Sequence, residues 1–354
     1  MSTIIRYNSE DIVLDTKRIS TSTWADNNNN LGTAFTSSMQ ADQSLATSQG
    51  NFFVDIYNMH TGSISSSKEY SIAYGHKQGS GSEDFTNDTG SFGYNATKWN
   101  YHHYRQLVFG DELQEFTFDD HTPDDIWILN IERKNYKQNL KTGTLNLFVG
   151  SNDGGTSIIQ LTDDSVTKTG SAVMTMCGRQ YNLVSGSSGQ MAFNSVKASI
   201  GNEKSGSYGF FYPDAGFIIL NPDALAQTLG GTTPNNLFNL QSNKTTNSNG
   251  FNIQKMHNCI KYAANFILDS EEKVTSQYYF TRVKNSEFNY TTNPSFIDTQ
   301  GNIRFDSMAD QPTVFITTVG LYSDGGDLLA VAKLSKPLAK DFTKESLIKV
   351  KIDY

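Results

Sequence analysis

Two strand-like segments decide the fold: Thr313-Val-Phe-Ile-Thr-Thr-Val-Gly-Leu-Tyr322 and Leu328-Leu-Ala-Val-Ala-Lys-Leu334. β-Branched and aromatic residues dominate both segments, as is typical of strands. Between them, Ser323-Asp-Gly-Gly-Asp327 supplies residues that tolerate positive φ, so the chain can reverse there. Pro337 is expected to end the second strand, because proline cannot donate to a strand ladder. The sequence therefore predicts an antiparallel hairpin.

A further strand is predicted from Leu347 to Tyr354, the last residue of the sequence. Within it, apolar residues alternate with lysines in the order Ile348, Lys349, Val350, Lys351 and Ile352. This alternation gives the strand one apolar and one polar face. Two interpretations stay open: an unpaired edge that adds to the sheet of a partner, or an edge that the lysines simply protect from aggregation.

The composition indicates a loop-rich β protein. The 354 residues are 37% hydrophobic, which is low, but 12% are aromatic, and large rings can build a core from fewer residues. A disordered chain would lack these aromatics. The net charge of −8 argues against nucleic acid as the main partner, because such binding requires a basic surface.

The expected fold class is mainly β with a few short helices. Antiparallel, β-sandwich-like sheets are expected, with α+β elements in the middle of the chain. Asn221-Pro-Asp223 provides a cap, a proline for the first helical position and an acid for the helix N-terminus. Other segments carry strand signals (51–57, 69–74, 125–131, 208–212 and 217–220) or helix signals (99–109 and 253–266).

Three regions with soft boundaries are predicted: 1–142, β-rich; 143–268, β with two short helices; and 269–354, a carboxyl-terminal β module. Within the first, residues 20–50 are rich in Ser, Thr, Asn, Gln and Gly. This segment is interpreted either as an exposed loop or as an arm on a neighbouring subunit. In the second interpretation, Trp24 and Phe35 would anchor the arm.

No catalytic or metal-binding motif emerges from the sequence. A phosphate-binding loop, a nucleophile elbow, a zinc-protease motif and a dinucleotide fingerprint are all missing. The adjacent His102 and His103 would point apart on one element. The acidic stretch Asp119–Asp125 does not match the calcium-loop spacing and is interpreted as a turn with solvated charge. We therefore assign no catalytic residue, no cofactor and no metal ligand.

Compartment signals are equally sparse. Cys177 and Cys259 are the two cysteines, too few for a disulfide framework, so a reduced, cytoplasm-like compartment is expected. The first residues lack the pattern of a secretory signal peptide. No apolar run approaches the length of a membrane span, and no membrane partner is expected.

One resemblance to a known family can be seen. Tyr208-Gly-Phe-Phe-Tyr-Pro-Asp-Ala-Gly-Phe-Ile-Ile-Leu-Asn-Pro-Asp-Ala-Leu225 resembles virion structural proteins of contractile-tailed bacteriophages, especially large myoviruses of the cyanophage kind. Further similar stretches are 71–81, 125–133, 287–294, 319–322, 329–337 and 348–352. Together they cover about a third of the residues. The resemblance implies a non-enzymatic tail or baseplate component, located in the virion and assembled in the bacterial host cytoplasm.

The leading functional hypothesis is thus a structural subunit that docks to other virion proteins and to copies of itself. Its contact residues are predicted in the 20–50 loop and the last strand: Trp24, Phe35, Leu347, Ile348, Lys349, Val350, Lys351, Ile352 and Tyr354. Two alternatives remain. The first is a receptor- or carbohydrate-binding fibre or collar component, which would expose an aromatic patch. The second is a glycan- or peptidoglycan-cleaving virion enzyme, which would hold two carboxyl groups about 5–10 Å apart.

Overall fold

The computed structural model confirms a mainly β chain with large antiparallel sheets. It describes residues 4–31, 53–59, 63–79, 96–150, 158–167, 172–192, 199–200, 203–204, 207–229, 248–263, 265–291, 293–310 and 312–354. Two compact units are present. Unit 1 comprises Met1–Arg18 and Lys273–Tyr354, and unit 2 comprises Ile19–Glu272.

The strands are named in chain order. They are β1 (Ile12–Ser22), β2 (Phe53–Tyr57), β3 (Lys68–His76), β4 (Asp125–Ile131), β5 (Asn139–Leu140), β6 (Asn146–Gly150), β7 (Ile158–Asp163), β8 (Val173–Thr175), β9 (Gly178–Ser187), β10 (Gln190–Met191), β11 (Ser199–Ile200), β12 (Glu203–Lys204), β13 (Gly209–Tyr212), β14 (Phe217–Leu220), β15 (Phe266–Ile267), β16 (Asp269–Val283), β17 (Val314–Tyr322), β18 (Leu328–Lys340) and β19 (Ser346–Asp353). The α-helices are α1 (Ala96–Phe109), α2 (Pro222–Leu229) and α3 (Ser248–Ala263). Three-residue 3-10 helices lie at Ser9–Asp11, Arg133–Asn135 and Asp306–Met308.

Unit 2 is built on one large antiparallel sheet. Its strands follow the order β15-β6-β7-β9-β13-β14-β4-β3-β2, and the short strands β8 and β10 pair with β9. The central strands β13, β14 and β4 are apolar at successive positions rather than at alternate ones. Such a pattern is expected where both faces of a strand are buried.

Each face of this sheet has its own apolar core. On one face, Trp127, Leu129 and Ile131 of β4 join a cluster that includes α3 residues such as Met256 and Ile260. On the other face, neighbouring β4 residues join a cluster that includes Tyr101 and Val108 of α1, together with Phe116 and Phe118. The sheet of unit 2 is therefore covered by helices, which confirms the α+β elements expected in the middle of the chain.

The predicted helices form at the positions that their sequence signals indicate. Asn221 Oδ1 accepts a hydrogen bond from the backbone N–H of Ala224 (3.4 Å), so Asn221 caps α2 as expected. Pro222 occupies the first helical position. The other two helices begin a few residues before their predicted starts, as is usual for element ends. α3 also ends at Ala263 and not at residue 266 as predicted, because Phe266 belongs to strand β15.

Unit 1 consists of two small sheets that share a core. One contains β1, β16 and β19 in that order, and the other is the β17–β18 hairpin. Leu321 of the hairpin is buried with Ile348 and Val350 of β19, and Tyr7 and Tyr279 pack against them. This face-to-face arrangement is sandwich-like, as expected for the carboxyl-terminal module.

Pro337 does not end the hairpin strand as predicted, because β18 continues to Lys340. The pairing register shifts between Ile316 and Thr318, whose partners are Leu338 and Lys333. Pro337 falls in the irregular stretch between those two partners, where it has no paired residue. Its missing N–H therefore removes no hydrogen bond from the ladder.

The two units divide the chain differently from the predicted regions. The predicted boundary at residues 142 and 143 falls inside unit 2, where β4 and β6 belong to the same sheet. The predicted start of the carboxyl-terminal module, residue 269, lies four positions before Lys273, where unit 1 resumes. Residues 1–18 belong to this module because the sequence-distant β1 and β16 lie side by side in one sheet.

Candidate docking surface

β19 has one side pairing with β16 and one open edge. The two strands pair antiparallel from Ser276 opposite Asp353 to Val283 opposite Ser346. Because β19 ends the sheet order, its other edge has no strand partner among the described residues. An open edge of eight residues is long enough to accept an added strand.

The hydrogen-bonding pattern identifies which backbone groups face this open edge. Thr275 and Tyr354 donate to each other's carbonyl oxygens at 3.0 Å, so they form a hydrogen-bonded pair of the ladder. Such pairs alternate along antiparallel strands. The backbone groups that point away from β16 therefore belong to Leu347, Lys349, Lys351 and Asp353. In the described part of the chain, the N–H and C=O groups of these residues have no backbone partner.

The side chains of the same four residues are exposed, whereas their neighbours face the core. Ile348 and Val350 are buried in unit 1, and Ile352 is half-buried. The alternation predicted for this strand is thus confirmed. Of the predicted contact residues in β19, Ile348 and Val350 contact the core of unit 1, so their side chains are not exposed to a neighbour. Leu347 and Tyr354 are exposed, at 65% and 68%.

Lys349 and Lys351 are engaged on the exposed face. Lys349 Nζ lies 3.9 Å from the ring centroid of Tyr278 and 5.5 Å from that of Phe280, which is cation–π geometry. Lys351 Nζ donates to Asp353 Oδ2 at 2.9 Å, and Ser276 Oγ donates to Asp353 Oδ1 at 2.7 Å. The hydrogen bond with Asp353 raises the pKa of Lys351, and the reverse effect lowers the pKa of Asp353.

A buried lysine holds the long loop of unit 1 against the end of β18. The side chain of Lys340 is fully buried. Its ammonium group donates to three oxygens: Asn289 Oδ1 at 2.8 Å, Asp341 O at 2.9 Å and Asn285 O at 3.0 Å. Three good acceptors match the three N–H bonds of an ammonium group, so the charge is compensated by oriented oxygens.

The outer face of the β17–β18 hairpin is a second exposed surface of unit 1. Gly320 pairs with Val331, and Tyr322 pairs with Leu328. The apolar residues exposed on these two strands are Phe315 (61%), Tyr322 (53%), Leu328 (53%), Leu329 (70%) and Val331 (61%). A cluster of exposed apolar side chains on a small sheet is typical of a surface that contacts another protein.

Trp24, predicted as an arm anchor, is a core residue of unit 2. Its side chain is 1% exposed, and its indole N–H donates to Phe266 O at 2.9 Å. The carboxylate of Glu69 accepts hydrogen bonds from Ala25 N at 3.2 Å and holds the same segment. Trp24 therefore anchors its segment within its own chain and is not exposed for a neighbour. Phe35 and the rest of 32–52 lie outside the described residues.

Unit 2 contains a cluster of polar residues that the sequence did not reveal, and the prediction of a turn with solvated charge is wrong for Asp125, which begins β4 and is shielded from solvent. Tyr74 donates its hydroxyl to Asp125 Oδ2 at 3.0 Å, and His121 Nε2 lies 2.7 Å from Asp223 Oδ2. Burial raises the pKa of Asp125 to about 7, and the nearby charges of Asp223 and Asp124 add to this effect. Tyr74, Asp223 and the 121–125 stretch are far apart in sequence, so spacing along the chain gave no signal. Asp125 and Asp223 are each held by a hydrogen-bonding neighbour, as in a structural network.

The other candidate chemical groups have structural partners. His76 Nδ1 accepts a hydrogen bond from Gln78 N at 3.1 Å at the end of β3. Cys259 is buried, and Cys177 is half-buried with its sulfur 3.2 Å from Thr175 Oγ1. Burial raises the pKa of the Cys177 thiol, which makes it less reactive. Among the residues that the structure describes, no group of three His, Cys, Asp or Glu could hold a metal ion.

Comparisons with known proteins give no relative. No family model, no curated protein and no solved structure matches the chain. Within the described ranges, none of the helices is both long and apolar enough to cross a membrane.

Proposed function

We propose that this protein is a non-enzymatic structural subunit of a bacteriophage particle, in the contractile tail or baseplate. It docks to neighbouring virion proteins, and to copies of itself, through the loops and strand edges of unit 1. The open edge of β19 is the observation that supports this proposal most directly. The phage assignment rests on the resemblance of the sequence stretches described above.

The arrangement of β19 suits docking in two respects. Its inner side chains Ile348 and Val350 fix the strand to the core, so the edge is rigid before a partner arrives. A pre-ordered edge loses little conformational freedom on binding. Its outer backbone groups, at four residues from Leu347 to Asp353, have no backbone partner among the described residues and can pair with an added strand. In a particle of many copies, weak single contacts of this kind add up through avidity.

The experiment compares two substitutions at one position. Lys351→Pro removes an outward N–H, whereas Lys351→Ala keeps that N–H and removes the same side chain. Residue 351 donates no backbone hydrogen bond to β16, so both variants retain the inner ladder. Variants are supplied in trans to a phage that lacks this gene, and their copy number in purified particles is measured by quantitative mass spectrometry.

We expect the copy number of the proline variant to fall at least tenfold and that of the alanine variant to fall much less, because the alanine variant keeps the outward N–H and loses only the side chain. Thermal unfolding of both purified variants checks that unit 1 is folded. Normal incorporation of a folded proline variant would overturn docking through β19. Absence of the wild-type chain from purified particles would overturn the proposed function itself.

A further inference from the structure

We propose that the open edge of β19 selects an extended segment of a different protein that places acidic residues opposite Lys349 and Lys351, and that this edge disfavours a second copy of itself. This inference rests on the proposed docking function and names the chemistry of the partner. It concerns only the edge of β19, so copies of the chain can still contact each other through other surfaces of unit 1.

The geometry of the edge sets the length of the segment. Outward backbone groups recur at every second residue from Leu347 to Asp353, so an added strand can form hydrogen bonds at four positions. At roughly 3.3 Å per residue, this stretch is about 20 Å long. A partner segment of seven to eight extended residues would fill it.

The two faces of β19 set the pattern of the segment. Residues directly opposite each other in a sheet lie on the same face. Partner residues opposite Ile348 and Val350 would extend the buried side of the sheet, so apolar, β-branched residues fit there. Partner residues opposite Lys349 and Lys351 would lie on the exposed face beside two ammonium groups. The segment must therefore alternate between apolar and lysine-compatible residues.

Charge then distinguishes the partner from a second copy. Two copies of β19 could pair antiparallel, edge to edge. All four outward residues of each copy can then form backbone hydrogen bonds in only one register, which places Leu347 opposite Asp353 and Lys349 opposite Lys351. This register contains two lysine–lysine pairs. A shift by two residues in either direction places Lys349 or Lys351 opposite its own copy. Like charges directly opposite destabilise a strand pair, and lysines on edge strands are a known protection against self-pairing.

Both lysines retain the capacity to bind a carboxylate. The ammonium of Lys349 contacts aromatic rings, and it forms no salt bridge with an acid among the described residues. Lys351 uses one of its three N–H donors on Asp353, and both side chains of that pair are about half exposed. Glutamate or aspartate opposite these lysines would add favourable cross-strand pairs. Protection and docking are thus one property: the lysines exclude a second copy and favour an acidic strand.

Labelled eight-residue peptides provide the test. In one, Val occupies every second position and Thr, Glu, Glu and Thr follow in turn at the positions between, so that its two Glu can lie opposite Lys349 and Lys351. The matched control carries Lys in place of both Glu. Binding to the full-length chain is measured by fluorescence anisotropy, in the wild type and in a double variant carrying Lys349→Glu and Lys351→Glu. Lys351→Glu alone serves as a second variant, because it keeps the contact of Lys349 with the rings. Sedimentation of the wild type and of Lys351→Pro, whose β19 edge lacks an outward N–H, measures whether any self-association uses β19.

We expect the Glu peptide to bind the wild type at least tenfold more tightly than the Lys peptide. The double variant should reverse this preference, and the single variant should reduce it. Equal binding of both peptides, an unchanged preference in the variants or self-association through β19 would each overturn the inference. If the preference fails while Lys351→Pro still blocks incorporation into particles, docking through β19 stands and the acidic partner is wrong. If Lys351→Pro is incorporated normally, the proposed docking through β19 is wrong.

Discussion

Three residues that could be taken for surface or site residues have structural roles in this chain. Trp24, Lys340 and Asp125 belong to residue types that sequence patterns readily assign to surfaces or sites. In the structure each of them is held by named partners within one unit. Their substitution should therefore change stability, and the measurements below separate that effect from docking.

Replacement of Trp24 by Phe tests whether this residue is a core anchor. Trp24→Phe removes the indole N–H that donates to Phe266 O and leaves a smaller ring in the core. We expect a loss of about 1–3 kcal/mol in the free energy of unfolding. Urea denaturation measures this loss. Trp99→Phe is the control, because Trp99 is 57% exposed and its replacement should change stability by less than about 0.5 kcal/mol.

Replacement of Lys340 tests the buried ammonium group. Lys340→Met keeps an unbranched side chain but leaves the buried Asn289 Oδ1 and two partly buried backbone oxygens without their donor. We expect a loss of roughly 2–4 kcal/mol, because an unsatisfied buried acceptor is costly. Lys336→Met, at an exposed position of the same strand, should be close to neutral. Equal unfolding midpoints for the two variants would show that the Lys340 contacts are dispensable.

Asp125 should make the stability of the chain depend on pH. Burial raises its folded-state pKa to about 7, above the unfolded value. Between about pH 4 and 7 the folded chain therefore binds more protons than the unfolded chain, and stability falls as pH rises. The fall is at most about 1.4 kcal/mol per pH unit and levels off above pH 7.

The variant Asp125→Asn should lose this contribution, because its amide does not titrate. Urea denaturation between pH 4 and 8 gives the difference between the variant and the wild type. Burial also raises the pKa of Glu69 to about 7, so the free energy of unfolding depends on pH in both proteins. The difference between the two curves isolates the contribution of Asp125. Asp120→Asn, at an exposed position, is the control. A flat difference curve for Asp125→Asn would contradict the buried, protonated state.

At the scale of secondary structure, local signals predicted which elements form. The turn at 323–327 closes as expected: Ser323 N donates to Asp327 O at 2.8 Å, and Gly326 N donates to Ser323 O at 3.0 Å. Asn221 caps α2 because its preference for that position is local. By contrast, the continuation of β18 beyond Pro337 depends on a register shift against β17, which no local signal contains.

The placement of elements could not be predicted in the same way. β1 and β16 are more than 240 residues apart in sequence but belong to one sheet. The polar cluster around Asp125 joins β3, β4, the residues before β4 and α2. Spacing along the chain carries little information about such contacts. The alternation within β19, however, depends on one strand only, and the sequence alone was sufficient to predict its two faces.

One glycine of the hairpin turn should show a backbone requirement. Gly326 has a φ of +89°, and an added Cβ would contact no atom within 4 Å. Gly326→Ala should therefore cost about 1–2 kcal/mol through backbone strain alone. Gly325→Ala is the neighbouring control, because Gly325 does not have a positive φ. Thermal unfolding of the two variants should differ by several degrees, and equal midpoints would rule out strain at residue 326.

At the scale of the whole molecule, charge is distributed unevenly between the two units. The sequence of unit 2 contains 15 basic and 24 acidic residues, whereas unit 1 contains 13 and 12. Unit 2 thus has a net charge of −9 and unit 1 of +1, which together give the −8 of the chain. A nearly neutral unit 1 is a suitable docking module among acidic subunits, because association through it meets little electrostatic repulsion.

The structure also changes which deletion experiment is informative. Removing residues 347–354 would remove Ile348 and Val350 from the core of unit 1. Such a deletion would unfold the unit whether or not β19 docks. The decisive measurement is whether the outward N–H and C=O groups of β19 are hydrogen-bonded in the full-length chain.

Residue-resolved amide hydrogen exchange of β19, in the free chain and in purified particles, tests the account most directly. In the free chain, the outward amides of Leu347, Lys349, Lys351 and Asp353 should exchange faster than the inward amides of the alternating residues. In particles, the outward amides should become protected to a similar degree as the inward ones. Outward amides that remain fast in particles, or that are already protected in the free chain, would contradict docking through the β19 edge.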